Sequence, residues 1–184
     1  MSRVLPLLVA ALAAVSVFAD VPATISGSDL VTGKNVKIEI SVAPRATVIA
    51  FVSAVCPCSG SHETELESLR AKYESQGFRF VGIHANQDEP AAASAAHFRA
   101  SPMKFPILAD SGAKIADAFG ALKTPHTFVL NPKGEILYQG GVDDSHLASE
   151  SKKHYLADAL AAIAVGRRPE VAQARTLGCV ISRN

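Results

Sequence analysis

Tryptophan is missing from the 184-residue chain, cysteine occurs only three times, and aromatic residues make up 6%. Three cysteines are too few, and the wrong parity, for a disulfide-dense mini-protein. An apolar content of 48% at this length supplies a core without staples. An excess of either charge is missing as well. Eighteen Lys and Arg stand against 17 Asp and Glu, a formal charge of +1, so no basic field is available to attract nucleic acid. Charged residues at 19% are too sparse for a disordered chain.

Long apolar runs are confined to the N-terminus. Arg3 is followed by an apolar stretch from Val4 to Phe18, interrupted only by Pro6 and Ser16. Val17-Phe18-Ala19 then sets small residues at the −3 and −1 positions before Asp20. A charged start, a short apolar run and a small-residue site form a secretory signal peptide, residues 1–19, with cleavage after Ala19. The run is shorter than the roughly 20 residues a bilayer span requires. A secreted, periplasmic protein with no membrane span after cleavage is the expectation, and loss of Arg3 leaves it neutral. Its thiols would then meet an oxidising compartment.

Beyond the leader, periodicity alternates between strand and helix. Asn35 to Ser41 alternates with Val36, Ile38 and Ile40 on one face, and Ala46 to Val52 is apolar but for Thr47, as in a central strand. A helix after Cys56 runs to about Ser75 with Leu66, Leu69 and Tyr73 as its stripe. Phe78 to Ile83 is a buried strand, and Asp88 and Pro90 start a helix carrying Ala91, Ala95 and Phe98. Phe105 to Leu108 is a short strand, and Asp110-Ser111 caps a helix ended by Gly120. Thr127 to Leu130 and Glu135 to Tyr138 flank a turn, and a last helix with Leu156, Leu160 and Ile163 stops at Gly166. This order describes one α/β domain over residues 20–166, a mixed sheet flanked by helices. Residues 167–184 are expected to be a tail without regular structure, carrying Cys179.

Cys56 lies where a buried strand passes into a helix. Free N–H groups at a helix start and the macrodipole both favour negative charge, so a thiol there ionises readily and becomes a nucleophile. The small residues Ser59 to Ser61 suggest an open loop around it.

Phe51-Val-Ser-Ala-Val-Cys56-Pro resembles the active-site corner of the thioredoxin fold, and Thr124-Pro125-His126-Thr127-Phe128 resembles its cis-proline strand. Tyr138-Gln-Gly-Gly-Val-Asp-Asp144 and Thr176-Leu-Gly-Cys179-Val-Ile181 resemble the small peroxiredoxin-like branch of the redoxins (AhpC/TSA-related), which ends in a similar Gly-Cys tail. The resemblance implies a thioredoxin-like fold and thiol–disulfide exchange with protein thiols, disulfides or a reductant protein, without a cofactor.

Three departures qualify it. Serine stands at position 59, where dithiol thioredoxins have their second cysteine. Ser53 matches the peroxidase Thr or Ser, but Ile49 replaces the peroxidase proline. The strand beginning with Pro125 holds no arginine to polarise an O–O bond, so efficient peroxidase turnover is not expected. Exchange needs a resolving thiol, for which Cys58 and Cys179 both qualify. Thr124 and Pro125 would offer a substrate strand a backbone edge beside Cys56.

A different chemistry is also compatible with these residues. His62 follows Cys58 by one helical turn, so Cys56, Cys58 and His62 can form a soft Cu(I) site, with Cys179 as a further ligand, in a metallochaperone. A third reading is a binding module with vestigial cysteines. His84, His97, His126, His146 and His154 lack ligand spacing, and only His126 has a place near the corner. Asp143-Asp144 and the run Glu63, Glu65, Glu67 are expected to be solvated.

Overall fold

The computed structural model describes residues 21–184, so the expected signal peptide lies outside the described residues. A five-stranded sheet has the order β5-β4-β3-β7-β8. Its strands are β3 (Ala46–Phe51), β4 (Phe78–His84), β5 (Ile107–Ala109), β7 (His126–Leu130) and β8 (Ile136–Gly140). β3, β4 and β5 are parallel, whereas β7 and β8 are antiparallel to their neighbours. β3 is central and buried at every position, which is why its sequence lacks alternation.

The pleat sends alternate residues of β3 into two cores. Val48, Ala50 and Val52 meet Leu66, Leu69 and Tyr73 of α1 (Pro57–Tyr73), Phe98 of α2 (Ala91–Ala100), and Leu156 and Leu160 of α4 (Tyr155–Ala164). Ile49 and Phe51 meet Ala116 and Phe119 of α3 (Lys114–Phe119) on the other face. Asp110 caps α3 as its sequence indicated, accepting the N–H groups of Ile115 and Ala116 at 3.0 and 2.9 Å. The result is the thioredoxin-like arrangement, a mixed sheet between helices. No helix among the described residues is long and apolar enough to cross a membrane.

Two parts of the chain differ from expectation. A strand β1 (Thr24–Ser28) pairs with β2 (Asn35–Glu39), and Ile25 and Ile38 join the second core; the polar TISGS segment has too little periodicity to announce it. The tail is docked. β9 (Cys179–Val180) pairs antiparallel with β6 (Lys123–Thr124), and Ile181, only 2% exposed, enters the second core. Ile181 N–H donates to Leu122 O at 2.9 Å, and Gln87 N–H to Ser182 O at 3.0 Å. One apolar residue and a few backbone bonds hold this segment, too sparse a pattern for periodicity to register.

Candidate functional site

The helix α1 begins at Pro57, with Cys56 in extended backbone as its cap residue, and Gly60 N–H donates to Cys56 O at 2.9 Å. Cys58 to Ser61 are therefore helical, and Ser59 is fully buried rather than part of an open loop. In place of a second cysteine, the Ser59 hydroxyl accepts the Ser53 N–H at 3.0 Å and ties helix to strand.

Ser53 and Glu89 orient the corner. The Ser53 hydroxyl donates to Glu89 Oε1 at 2.5 Å and accepts the N–H of Cys56 at 3.0 Å and of Val55 at 3.2 Å. Glu89 Oε2 accepts the Ala54 N–H at 2.9 Å and lies 3.0 Å from His84 Nε2. Every oxygen of this buried carboxylate is partnered, and its hydrogen bonds hold the loop that presents Cys56. Glu89 had no signal in the sequence, because it lies 33 residues beyond Cys56 in a loop whose approach depends on the β3–β4 pairing.

The tail crosses both cysteines of the corner. Thr124 pairs with Cys179, the Cys56 thiol donates to Thr124 O at 3.3 Å, and the Cys58 thiol donates to Leu177 O at 3.7 Å. Gly178 has φ +131°, and a Cβ there would lie 1.9 Å from Thr124 O, so the Gly before Cys179 is what lets the tail approach. The Thr124–Pro125 peptide is cis. Its edge does not stand open as expected: the protein's own β9 occupies it. Cys56 and Cys58 are buried, Cys179 is exposed, and all three are free thiols.

The three thiols hold their protons differently. Burial alone would raise Cys56, but the neighbouring Cys179 thiol, Ser59 N–H and Cys179 N–H outweigh it and bring Cys56 below the ordinary thiol value. Burial, then the charges of Cys56 and Asp143, push Cys58 up to about 11. Cys179 is also raised, by burial and by its contact with the Cys56 thiolate. Of the three, Cys56 therefore gives up its proton most readily. Beside it, His126 stacks on Phe128 with ring centroids 4.4 Å apart, and burial lowers its pKa to about 4.

In this arrangement His62 engages partners other than the cysteine sulfurs. His62 is 1% exposed; its Nδ1 lies 2.7 Å from Cys58 O and 3.0 Å from Ser61 Oγ, while Nε2 lies 3.0 Å from Asp143 Oδ2. Both ring nitrogens are thus directed away from the sulfurs. The helical spacing was right, but the ring satisfies the carbonyl of its own first turn. Asp143, expected in solvent, is 2% exposed, and Glu63 is buried against His97 Nε2 at 2.6 Å. Charge runs hide such residues when the helix carrying them is packed on both sides.

Residues 19–156 match the Redoxin family. The thiol-disulfide oxidoreductase ResA of Halalkalibacterium halodurans is 28% identical over 102 residues, covering 54% of this chain and 57% of that protein. The chain thus spans little more than half the length of this relative. An uncharacterised conserved protein of Geobacillus kaustophilus is structurally similar, with a TM-score of 0.75 at 27% identity, covering 88% of this chain and 89% of that one. A hypothetical protein of Sinorhizobium meliloti reaches a TM-score of 0.76 at 25% identity, covering 86% and 90%. The family match takes in both core faces, the Cys56 corner and the cis-proline strand, well over half of the sequence, and the chain belongs to the redoxin family.

Proposed function

We propose that the protein is a thiol–disulfide oxidoreductase that works outside the cytoplasm, with Cys56 as nucleophile and Cys179 as resolving thiol. The observation that carries this reading is the pairing of Thr124 with Cys179, which sets Cys179 beside the Cys56 thiol that is bonded to Thr124 O. The Cys56 thiolate attacks one sulfur of a substrate disulfide; an S–S bond forms to Cys56 and the other substrate sulfur leaves as a thiolate that takes up a proton. Cys179 then gives up its proton and attacks Cys56. A Cys56–Cys179 disulfide forms, the second substrate thiolate leaves, and two electrons have passed to the substrate. A reductant dithiol protein restores the two thiols.

Because β9 covers the Thr124 edge, a protein substrate displaces the tail strand to reach Cys56. Disulfide fits this site better than peroxide, since the groups that lower Cys56 are neutral hydrogen-bond donors rather than an arginine. The location outside the cytoplasm rests on the leader sequence of residues 1–19.

The test is turnover of a model protein disulfide with thiol counting before and after reduction. Cys179→Ser accumulates a mixed disulfide on Cys56. Turnover of Cys179→Ser at the wild-type rate, with a stall in Cys58→Ser, assigns resolution to Cys58. Three persistently free thiols with tight, stoichiometric Cu(I) binding replace the exchange reading with metal delivery.

A further inference from the structure

A second cluster lies where α1 meets the loop after β8. His62 and Glu65 are three residues apart on one helical face, and the loop after β8 brings Asp143 to them. One ligand atom from each, a ring nitrogen and two carboxylate oxygens, lies within 4.8 Å of the others.

With a neutral imidazole the polar bookkeeping of this cluster does not close. Nδ1 of His62 lies 2.7 Å from Cys58 O, a pure acceptor, so the ring proton of the neutral imidazole belongs on Nδ1. Nε2 is then a lone pair, yet it stands 3.0 Å from Asp143 Oδ2. Asp143 Oδ1 accepts the Ser145 N–H at 2.8 Å, whereas the fully buried Oδ2 has no hydrogen-bond partner. Two acceptors facing each other in a buried place call for a positive centre between them.

We propose that His62 Nε2, Asp143 Oδ2 and the Glu65 carboxylate bind a divalent transition-metal ion of the zinc class, with water completing the shell. Bonds of roughly 2.0–2.1 Å to one ion, at tetrahedral to octahedral angles, separate ligand atoms by roughly 2.9–3.4 Å, and the 3.0 Å between Nε2 and Oδ2 falls in that range. A ring N–H held by a backbone carbonyl is the usual support of a metal-binding histidine. Imidazole with two carboxylates favours a borderline ion over Cu(I), which needs soft sulfur ligands. The ion has a way in: the Glu65 side chain is 21% exposed, and the exposed ring of His154, its Nδ1 3.7 Å from Glu65 Oε1, stands at the rim. Bound there, the ion ties α1 to the loop after β8. The site is independent of the exchange reaction.

The experiment is a calorimetric Zn(II) titration of the full mature protein, with the absorption spectrum of the Co(II) form. One ion per chain is expected, with a Co(II) spectrum free of thiolate charge-transfer bands, and with a melting temperature raised by Zn(II). Glu65→Gln, at a partly exposed position that folding tolerates, weakens binding by more than roughly a hundredfold, since loss of a group that merely orients a ligand already costs about 10- to 100-fold. Asp143→Asn does the same, while Cys56→Ser, Cys58→Ser and Cys179→Ser bind as wild type. Unchanged affinity in Glu65→Gln, a thiolate band, or no uptake at micromolar Zn(II) overturns the proposal. So does an NMR spectrum in which His62 remains an imidazolium at neutral pH in the presence of Zn(II), because a proton then fills the place of the ion.

Discussion

Cys56 and Cys58 sit two residues apart at the start of one helix, yet their surroundings are opposite in kind. Cys56, whose thiol donates to Thr124 O, also has the Ser59 N–H and the Cys179 N–H and thiol around it, and these lower its pKa. Cys58 faces an acceptor, Leu177 O, and the negative charges of Cys56 and Asp143. Donors stabilise a thiolate, whereas acceptors and anions stabilise a thiol. The helix dipole acts on both cysteines, so it does not choose between them. The segments packed against them do, the tail at Cys56 and Asp143 at Cys58. Behind Cys56, Glu89 is completely partnered; behind Cys58, Asp143 keeps one oxygen without a hydrogen bond.

The largest effect that tests this contrast is Cys56→Ser, which removes the only thiol held below the ordinary range. Disulfide turnover should fall by on the order of a thousandfold or more, as loss of a covalent nucleophile does. In wild type, alkylation of Cys56 should rise with pH to a plateau whose midpoint lies below that of a free thiol, while Cys58 titrates near 11. A reversed order of the two midpoints breaks the comparison.

Gly178→Ala probes the donor side from the tail. A Cβ at 1.9 Å from Thr124 O cannot be accommodated, so β9 should detach. Two of the donors that stabilise the Cys56 thiolate leave with it. The Cys56 alkylation midpoint should then move up, and formation of the Cys56–Cys179 disulfide should slow by about tenfold or more, through lost proximity. An unchanged midpoint would mean that the tail contributes nothing to ionisation.

His126 adds a stability test beside the same strand. Its folded pKa of about 4 lies below the ordinary 6.5, so the unfolded chain binds the proton more readily. Stability from this group is therefore present above about pH 6.5 and lost as pH falls towards 4, by up to about 3 kcal/mol. Chemical denaturation across that range should show the loss in wild type and a smaller one in His126→Asn. Glu89→Gln comes next, with a destabilisation of about 1–3 kcal/mol, because an amide NH₂ would face the Ala54 N–H or the Ser53 hydroxyl in a buried place. Cys58→Ser should be mildest, changing turnover by less than about threefold if Cys58 has no part in resolution.

Much of the fold was legible because it rests on local repetition. The nearly continuous apolar run of Ala46 to Val52, the stripe Leu66, Leu69, Tyr73, the cap at Asp110 and the turn after Leu130 each depend on neighbours in the chain. β1 was not legible, since Ile25 is the single buried side chain of a polar five-residue strand. Around the cysteines, the residue types pointed to Cys56 and to the Thr124–Pro125 strand. Their spacing did not show the contacts of His62 with Cys58 O and Asp143, and it pointed wrongly to solvent for Asp143.

What the sequence determined by itself was the kind of chemistry available: three thiols, one of them at a strand-to-helix corner, on an α/β sheet with a Gly-Cys tail. What the tertiary structure decided was which thiol ionises, which thiol it meets, and where the buried carboxylates go. Those outcomes depend on contacts between segments far apart in the chain, Thr124 with Cys179, Ser53 with Glu89 and His62 with Asp143. Proton affinity is set by distances of a few ångströms between such segments, and residue spacing along the chain carries no record of them.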